Sequence, residues 1–159
     1  MWVFIINVVI FACLIIEVAR ANEPGCRTYG RRLAKKVQKI QWASRPEGTP
    51  IKFSNKGNEF TIKVENVKVA PGIKYETIPV YSCKDVIIND EIVCKIHCLE
   101  ALFGKTYVAE YSNKRHDHEI EELINKAYAT AKQLDKEYWE NWSKERSTTN
   151  SFYNKGKKD

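Results

Sequence analysis

Tyr81–Leu102 reads YSCKDVIINDEIVCKIHCLEAL, and three of the chain's five cysteines fall inside it. Asn89 or Asp90 offers an N-cap, Asp90 and Glu91 place acids in a first turn, and Ile92, Val93, Ile96, Leu99 and Leu102–Phe103 recur at helical spacing up to Gly104 as a stop. This spacing predicts a helix that carries Cys94 and Cys98 on one face, with His97 between them. What those cysteines do then depends on the compartment in which the chain folds.

The N-terminus supplies that compartment. Trp2 to Ile16 is apolar except for Asn7, and Ala19-Arg20-Ala21 gives the small-x-small pattern of a signal-peptidase site. The apolar run is shorter than the roughly 20 residues that span a bilayer. Residues 1–21 are therefore expected to be a signal peptide, residues 22–146 a single secreted domain, and residues 147–159 a disordered basic tail. Removal of the signal takes Cys13 with it and leaves Cys26, Cys83, Cys94 and Cys98. Four cysteines on an oxidising route imply disulfides before metal. Two residues one helical turn apart direct their Cβ atoms poorly for a bridge, so Cys94 and Cys98 are expected to pair outward, with Cys83 and Cys26 in an order left open. Zinc on Cys94, His97 and Cys98 is disfavoured, because His97 is rotated about 100° around the helix from Cys98. No cofactor is expected.

Charge is unevenly placed. Residues 22–57 hold nine Lys/Arg against two Glu, whereas residues 58–104 hold five against seven. Within the basic segment, TYGRRLAKKVQKIQW (28–42) sets Leu33, Val37 and Ile40 at i, i+4 and i+7 and fills the other positions with Arg31, Arg32, Lys35, Lys36 and Lys39. This is an amphipathic helix with a basic face, suited to a phosphate backbone, an anionic membrane surface or an acidic protein. Ser44-Arg45-Pro46-Glu47-Gly48 ends it.

Residues 50–82 read as an antiparallel meander. Ile51 and Phe53 alternate with polar neighbours, Asn55-Lys56-Gly57-Asn58 is turn chemistry, and Phe60, Ile62 and Val64 resume the alternation. Val67 and Val69 suggest a bulge near Asn66. A third strand is expected from Ile73 to Tyr81, at an edge because of Pro79, and a short one over Lys105–Ser112. From Asp117, apolar residues hold a period of 3.6 from Ile120 to Trp142, with core packing expected for Tyr138 and Trp142. The expected fold is α+β: an N-terminal basic helix, a small antiparallel sheet and two C-terminal helices, stabilised by disulfides.

No phosphate loop, nucleophile elbow or Walker pattern appears. The sequence thus points to a non-enzymatic binding protein. The alternative is a ribonuclease in which His116 or His118 works with a carboxylate such as Glu119 or Glu110.

Tyr81-Ser82-Cys83, the segment bearing Cys94 and Cys98, and Tyr107-Val108-Ala109-Glu110-Tyr111 together resemble the small secreted ribonuclease-like effectors of powdery mildew fungi. In the related secreted guanyl ribonucleases the last motif reads Tyr-Pro-His-Lys-Tyr, so the catalytic histidine corresponds to Ala109. The resemblance implies a secreted virulence protein, delivered into host cells, that binds host RNA or protein without cleaving RNA; the charge pattern makes the basic helix the expected binding surface.

Overall fold

Asn89 and Asp90 both adopt positive φ, 49° and 64°. Two consecutive left-handed residues are what a two-residue hairpin turn requires, and Asn and Asp tolerate that conformation better than other non-glycine residues. The chain therefore reverses at Asn89-Asp90 and does not begin a helix there. The computed structural model describes residues 1–20, 27–113 and 117–155. Its elements are α1 (Trp2–Arg20), α2 (Arg27–Ala43), β1 (Ile51–Asn55), β2 (Asn58–Val67), β3 (Lys74–Tyr75), β4 (Ile78–Ile88), β5 (Glu91–Ala101), β6 (Gly104–Tyr111) and α3 (His118–Lys155).

The content is α+β, but the expected layout is overturned. The first of the two anticipated C-terminal helices is strand β5 of the β4–β5 hairpin, and the sheet has six strands in the antiparallel order β1-β2-β4-β5-β6, with β3 paired to β4. Cys94 and Cys98 lie on β5, opposite Val86 and Ser82 of β4. Strand alternation sends Cys94, Ile96 and Cys98 to one face and Lys95, His97 and Leu99 to the other, whereas Cys83 on β4 stands opposite His97. The expected bridges fail on this geometry. A bridge from Cys83 to Cys94 or Cys98 cannot form, because Cys83 points to the opposite face of the sheet. Cys83, Cys94 and Cys98 are buried free thiols. Cys26 lies outside the described residues.

Other boundaries shift for local reasons. The turn at Lys56-Gly57 forms with positive φ at both residues, but β2 runs to Val67 in unbroken register with β4. The irregularities sit instead in the β4–β5 pairing, between Val80 and Ser82 and between Val86 and Ile87. Pro79 pairs with Lys74 at the start of β4, where its missing N–H costs no central ladder bond. Residues 147–155, expected as a disordered tail, continue α3 as helix.

The inner sheet face carries the core. Leu33, Val37 and Ile40 of α2 and Leu123, Ile124, Ala127 and Ala131 of α3 close on Ile62, Val64, Val86, Ile88, Cys94 and Ile96. α2 packs on β6 and β2, and α3 lies beside α2 and against β1. Asp117 caps α3, its carboxylate accepting from the backbone N–H of Glu119 (3.0 Å) and Ile120 (3.2 Å). The crossing of α2 over β6 is close. A Cβ on Gly30 would stand 1.9 Å from the carbonyl oxygen of Tyr107, so only glycine fits there. Beside it, Tyr29 and Tyr111 share a buried hydroxyl–hydroxyl hydrogen bond, and burial raises the pKa of both.

Among the described side chains, neither those of α1 nor those of α3 beyond Ala131 enter this core. Its first member is Tyr29 and its last is Ala131. The large apolar side chains of α1 up to Ile15 are exposed, so the domain that begins with α2 has a complete core of its own. No helix among the described residues is long and apolar enough to cross a membrane. Tyr138 and Trp142, expected in the core, stand outside it: Arg45 lies over the Tyr138 ring at 3.8 Å and Arg146 over the Trp142 ring at 4.6 Å.

Candidate anion-binding site

The basic face predicted on α2 divides in two. Lys36 donates to the side-chain oxygen of Asn125 at 2.6 Å, and Lys39 is paired with Asp135 at 2.6 Å, both partners belonging to α3. Arg45 reaches the other oxygen of Asp135 at 3.1 Å. These cations hold the two helices together. Arg32 is exposed. Arg31 and Lys35 sit on the opposite side of α2, where with Ala34 and Gln38 they form one wall of a cleft of about 330 Å³.

The other wall is the end of the inner sheet face that the core leaves uncovered. Ser82 and Lys84 of β4, Ile96 and Cys98 of β5 and Tyr107 of β6 line it, with Tyr81 and Lys105 at the edge. Ser82, Cys98 and Tyr107 are cross-strand neighbours in register, so the floor is set by backbone pairing. Four cations (Arg31, Lys35, Lys84, Lys105) meet here, and no carboxylate stands among the described residues of the lining. Lys84 donates to the side-chain oxygen of Gln41, and burial lowers its pKa. An incoming anion would reverse part of that desolvation cost. Tyr81 is 58 % exposed, with the Lys105 ammonium 4.0 Å above its ring. The arrangement can hold a phosphate or carboxylate group against a flat aromatic face.

A second cluster lies on the outer sheet face. His97 Nε2 is 2.9 Å from Glu110 Oε2, Lys95 is 3.2 Å from Asp85, and Cys83 is the register partner of His97. The Tyr75 ring stacks on His97 at 5.2 Å between centroids. A cysteine, a histidine and a carboxylate together suggest a nucleophile with its base, but the electrostatics oppose it. Burial pushes the Cys83 thiol pKa up, Asp85 and Glu110 add to that, and only Lys95 pulls the other way. Catalytic thiols need the reverse. Cys94, on the inner face, is pushed up to about 12 by burial first and Glu110 next. No group of three or more metal-binding side chains occurs among the described residues. The outer cluster is a cross-strand network that holds the β3 segment against the sheet.

His116 lies outside the described residues, and His118 is exposed at the start of α3. Glu110, a candidate partner for them, is bonded to His97. Ala109, the position corresponding to the catalytic histidine in the family resembled, is buried in the inner face of β6. The α2 half of the cleft was visible in the sequence. The sheet half was not, because Tyr81, Lys84, Lys105 and Tyr107 come together only through the pairing of β4, β5 and β6. The signal for that pairing was the alternation of Cys94, Ile96 and Cys98 with Lys95 and His97.

Comparison with known proteins finds no matching family model, no curated relative and no matching solved structure.

Proposed function

We propose that this is a secreted, non-enzymatic binding protein of the effector type, delivered into host cells, whose partner there is single-stranded RNA held in the cleft between α2 and the sheet. The observation that carries this reading is the convergence of Arg31, Lys35, Lys84 and Lys105, with no opposing carboxylate among the described lining residues, on a half-exposed tyrosine. Proteins that take single strands without cutting them combine a cationic track for phosphates with aromatic platforms for bases. Tyr81 supplies the platform, and the cations lie on both sides of the cleft. The signal-like N-terminus and the effector resemblance favour the secreted setting.

The test is fluorescence anisotropy of a labelled single-stranded RNA across a salt series. Each neutralised phosphate contributes a log–log slope of about −0.7 on a single strand. The Arg31→Gln, Lys35→Gln, Lys105→Gln triple variant is expected to flatten that slope by about two contacts' worth. Salt-independent binding, or an unchanged slope in the variant, would sink the reading. Turnover of RNA by the purified protein would move it to the enzyme class.

A further inference from the structure

The β5–β6 hairpin ends in Leu102 and Phe103, which are 98 % and 103 % exposed. Folding gains nothing from these two side chains, since they are as open to water as in an extended chain. Gly104 turns the chain at φ 119° directly after them, so the pair forms the outermost point of the hairpin. The β3–β4 turn adjoins the same end: Thr77 and Pro79 border a groove with Leu102, Phe103 and Arg31. Ile73 and Tyr81, both at least half exposed, belong to the flanking segments.

We infer that this tip docks on an anionic phospholipid bilayer, inserting Leu102 and Phe103 to the level of the acyl chains. Charge complementarity selects that partner over an apolar one. Lys105 follows Phe103 by two residues, which places its ammonium-bearing residue about 7 Å behind the tip along the strand. Interfacial insertions reach about 5–10 Å into the headgroup region. Lys105, with Arg31 at the cleft mouth and Lys74 on β3, therefore meets the phosphate layer when the tip meets hydrocarbon. Glu76 and Glu100 share this end of the sheet and oppose that attraction, which leaves apolar insertion as the larger contribution. The inference does not depend on RNA binding, because Leu102 and Phe103 lie outside the lining of the cationic cleft.

Co-sedimentation of the chain lacking residues 1–21 with vesicles provides the test; among the described residues the core runs from Tyr29 to Ala131, so this chain keeps every described core side chain and its fold. Wild type is expected to pellet with phosphatidylcholine vesicles containing phosphatidylserine, and more weakly with phosphatidylcholine alone. The Leu102→Ala, Phe103→Ala variant should partition at least about tenfold less, since it removes the apolar side chains that enter the acyl region. A Phe103→Trp variant should keep binding and be quenched by lipids brominated in the acyl chain. Equal partitioning of wild type and the double alanine variant, or no pelleting of wild type with the mixed vesicles, overturns the inference. So does loss of RNA binding in the tip variant, which would make the tip part of the cleft. A concentration-dependent dimer that the variant abolishes, in a protein that ignores vesicles, would identify the tip as a contact between copies. Failure with vesicles leaves the RNA reading standing, because that rests on anisotropy alone.

Discussion

Lys35 and Lys36 are adjacent in sequence and identical in chemistry, yet they meet different surroundings. Lys36 turns toward α3 and donates to Asn125, as Lys39 does to Asp135, whereas Lys35 turns with Arg31 toward the open end of the sheet. The cause is the helical period. Leu33, Val37 and Ile40 fix which stripe of α2 faces the core, and one residue on a helix is a rotation of about 100°. The cations on one flank of that stripe therefore serve helix packing, and those on the other flank remain for a ligand. A run of like charges is not one surface, and counting the charges overstates what a partner can use.

The contrast depends on α2 lying where it does, and Gly30 is the position that sets it. A glycine inside a helix normally costs about 1 kcal/mol relative to alanine, so Gly30→Ala would stabilise an unconstrained helix. Here the added methyl meets the Tyr107 carbonyl at 1.9 Å, and the expected result reverses sign: a loss of about 3 kcal/mol, the upper part of the range for overpacking. Thermal unfolding of the variant measures it. An unchanged or raised melting temperature would mean that α2 does not press on β6, and that the cleft wall formed by Arg31 and Lys35 is misplaced.

The next effect separates the two flanks directly. Lys35→Gln is expected to reduce the salt slope of RNA binding by about 0.7 and to weaken affinity several-fold at low salt, as the loss of one phosphate contact should. Lys36→Gln, one residue away, should leave both unchanged. Anisotropy titrations of the two variants side by side decide the matter. Equal losses would show that the whole helix face meets the ligand and would return the site to the undivided basic surface that composition alone suggests.

Periodicity explains what was legible. The patterns over 28–42 and from Asp117 correspond to α2 and α3, because long amphipathic stretches with a single apolar stripe fit one structure only. The stretch around Cys94 fits two. Ile92, Val93, Ile96 and Leu99 satisfy helical spacing, while Cys94, Ile96 and Cys98 alternate with Lys95 and His97 as a strand requires. The β-branched run Val86-Ile87-Ile88 and the Asn89-Asp90 pair, a turn signal read as a cap, tip the balance. Treating cysteine chiefly as a bridge-former hid its part in that alternation. The cleft was half legible for the same reason: its helix wall is local in sequence, and its sheet wall depends on the strand pairing that the helical reading removed.

The smallest effect tests the flank assigned to packing. Asp135 accepts from Lys39 and Arg45, and the Lys39 hydrogen bond, with Arg45 adding, lowers its carboxyl pKa against the opposing effect of burial. A carboxyl whose pKa is depressed on folding stabilises the native state fully above its unfolded value near 3.9, and that contribution fades as pH falls through the folded value. Both cations are about a third exposed, so the contribution is modest, about 0.5 kcal/mol at neutral pH. Asp135→Asn should therefore lower the urea midpoint slightly at pH 7, with the gap to wild type closing as the solution is acidified below the ordinary aspartate range. RNA affinity should not change, because Lys39 and Arg45 do not line the cleft. A gap that stays constant with pH would show that the variant acts through packing and not through the ion pairs. Tighter RNA binding in the variant would show that releasing Lys39 and Arg45 from Asp135 makes them available to the ligand, and the division of α2 into two flanks would then reflect competition for the same cations.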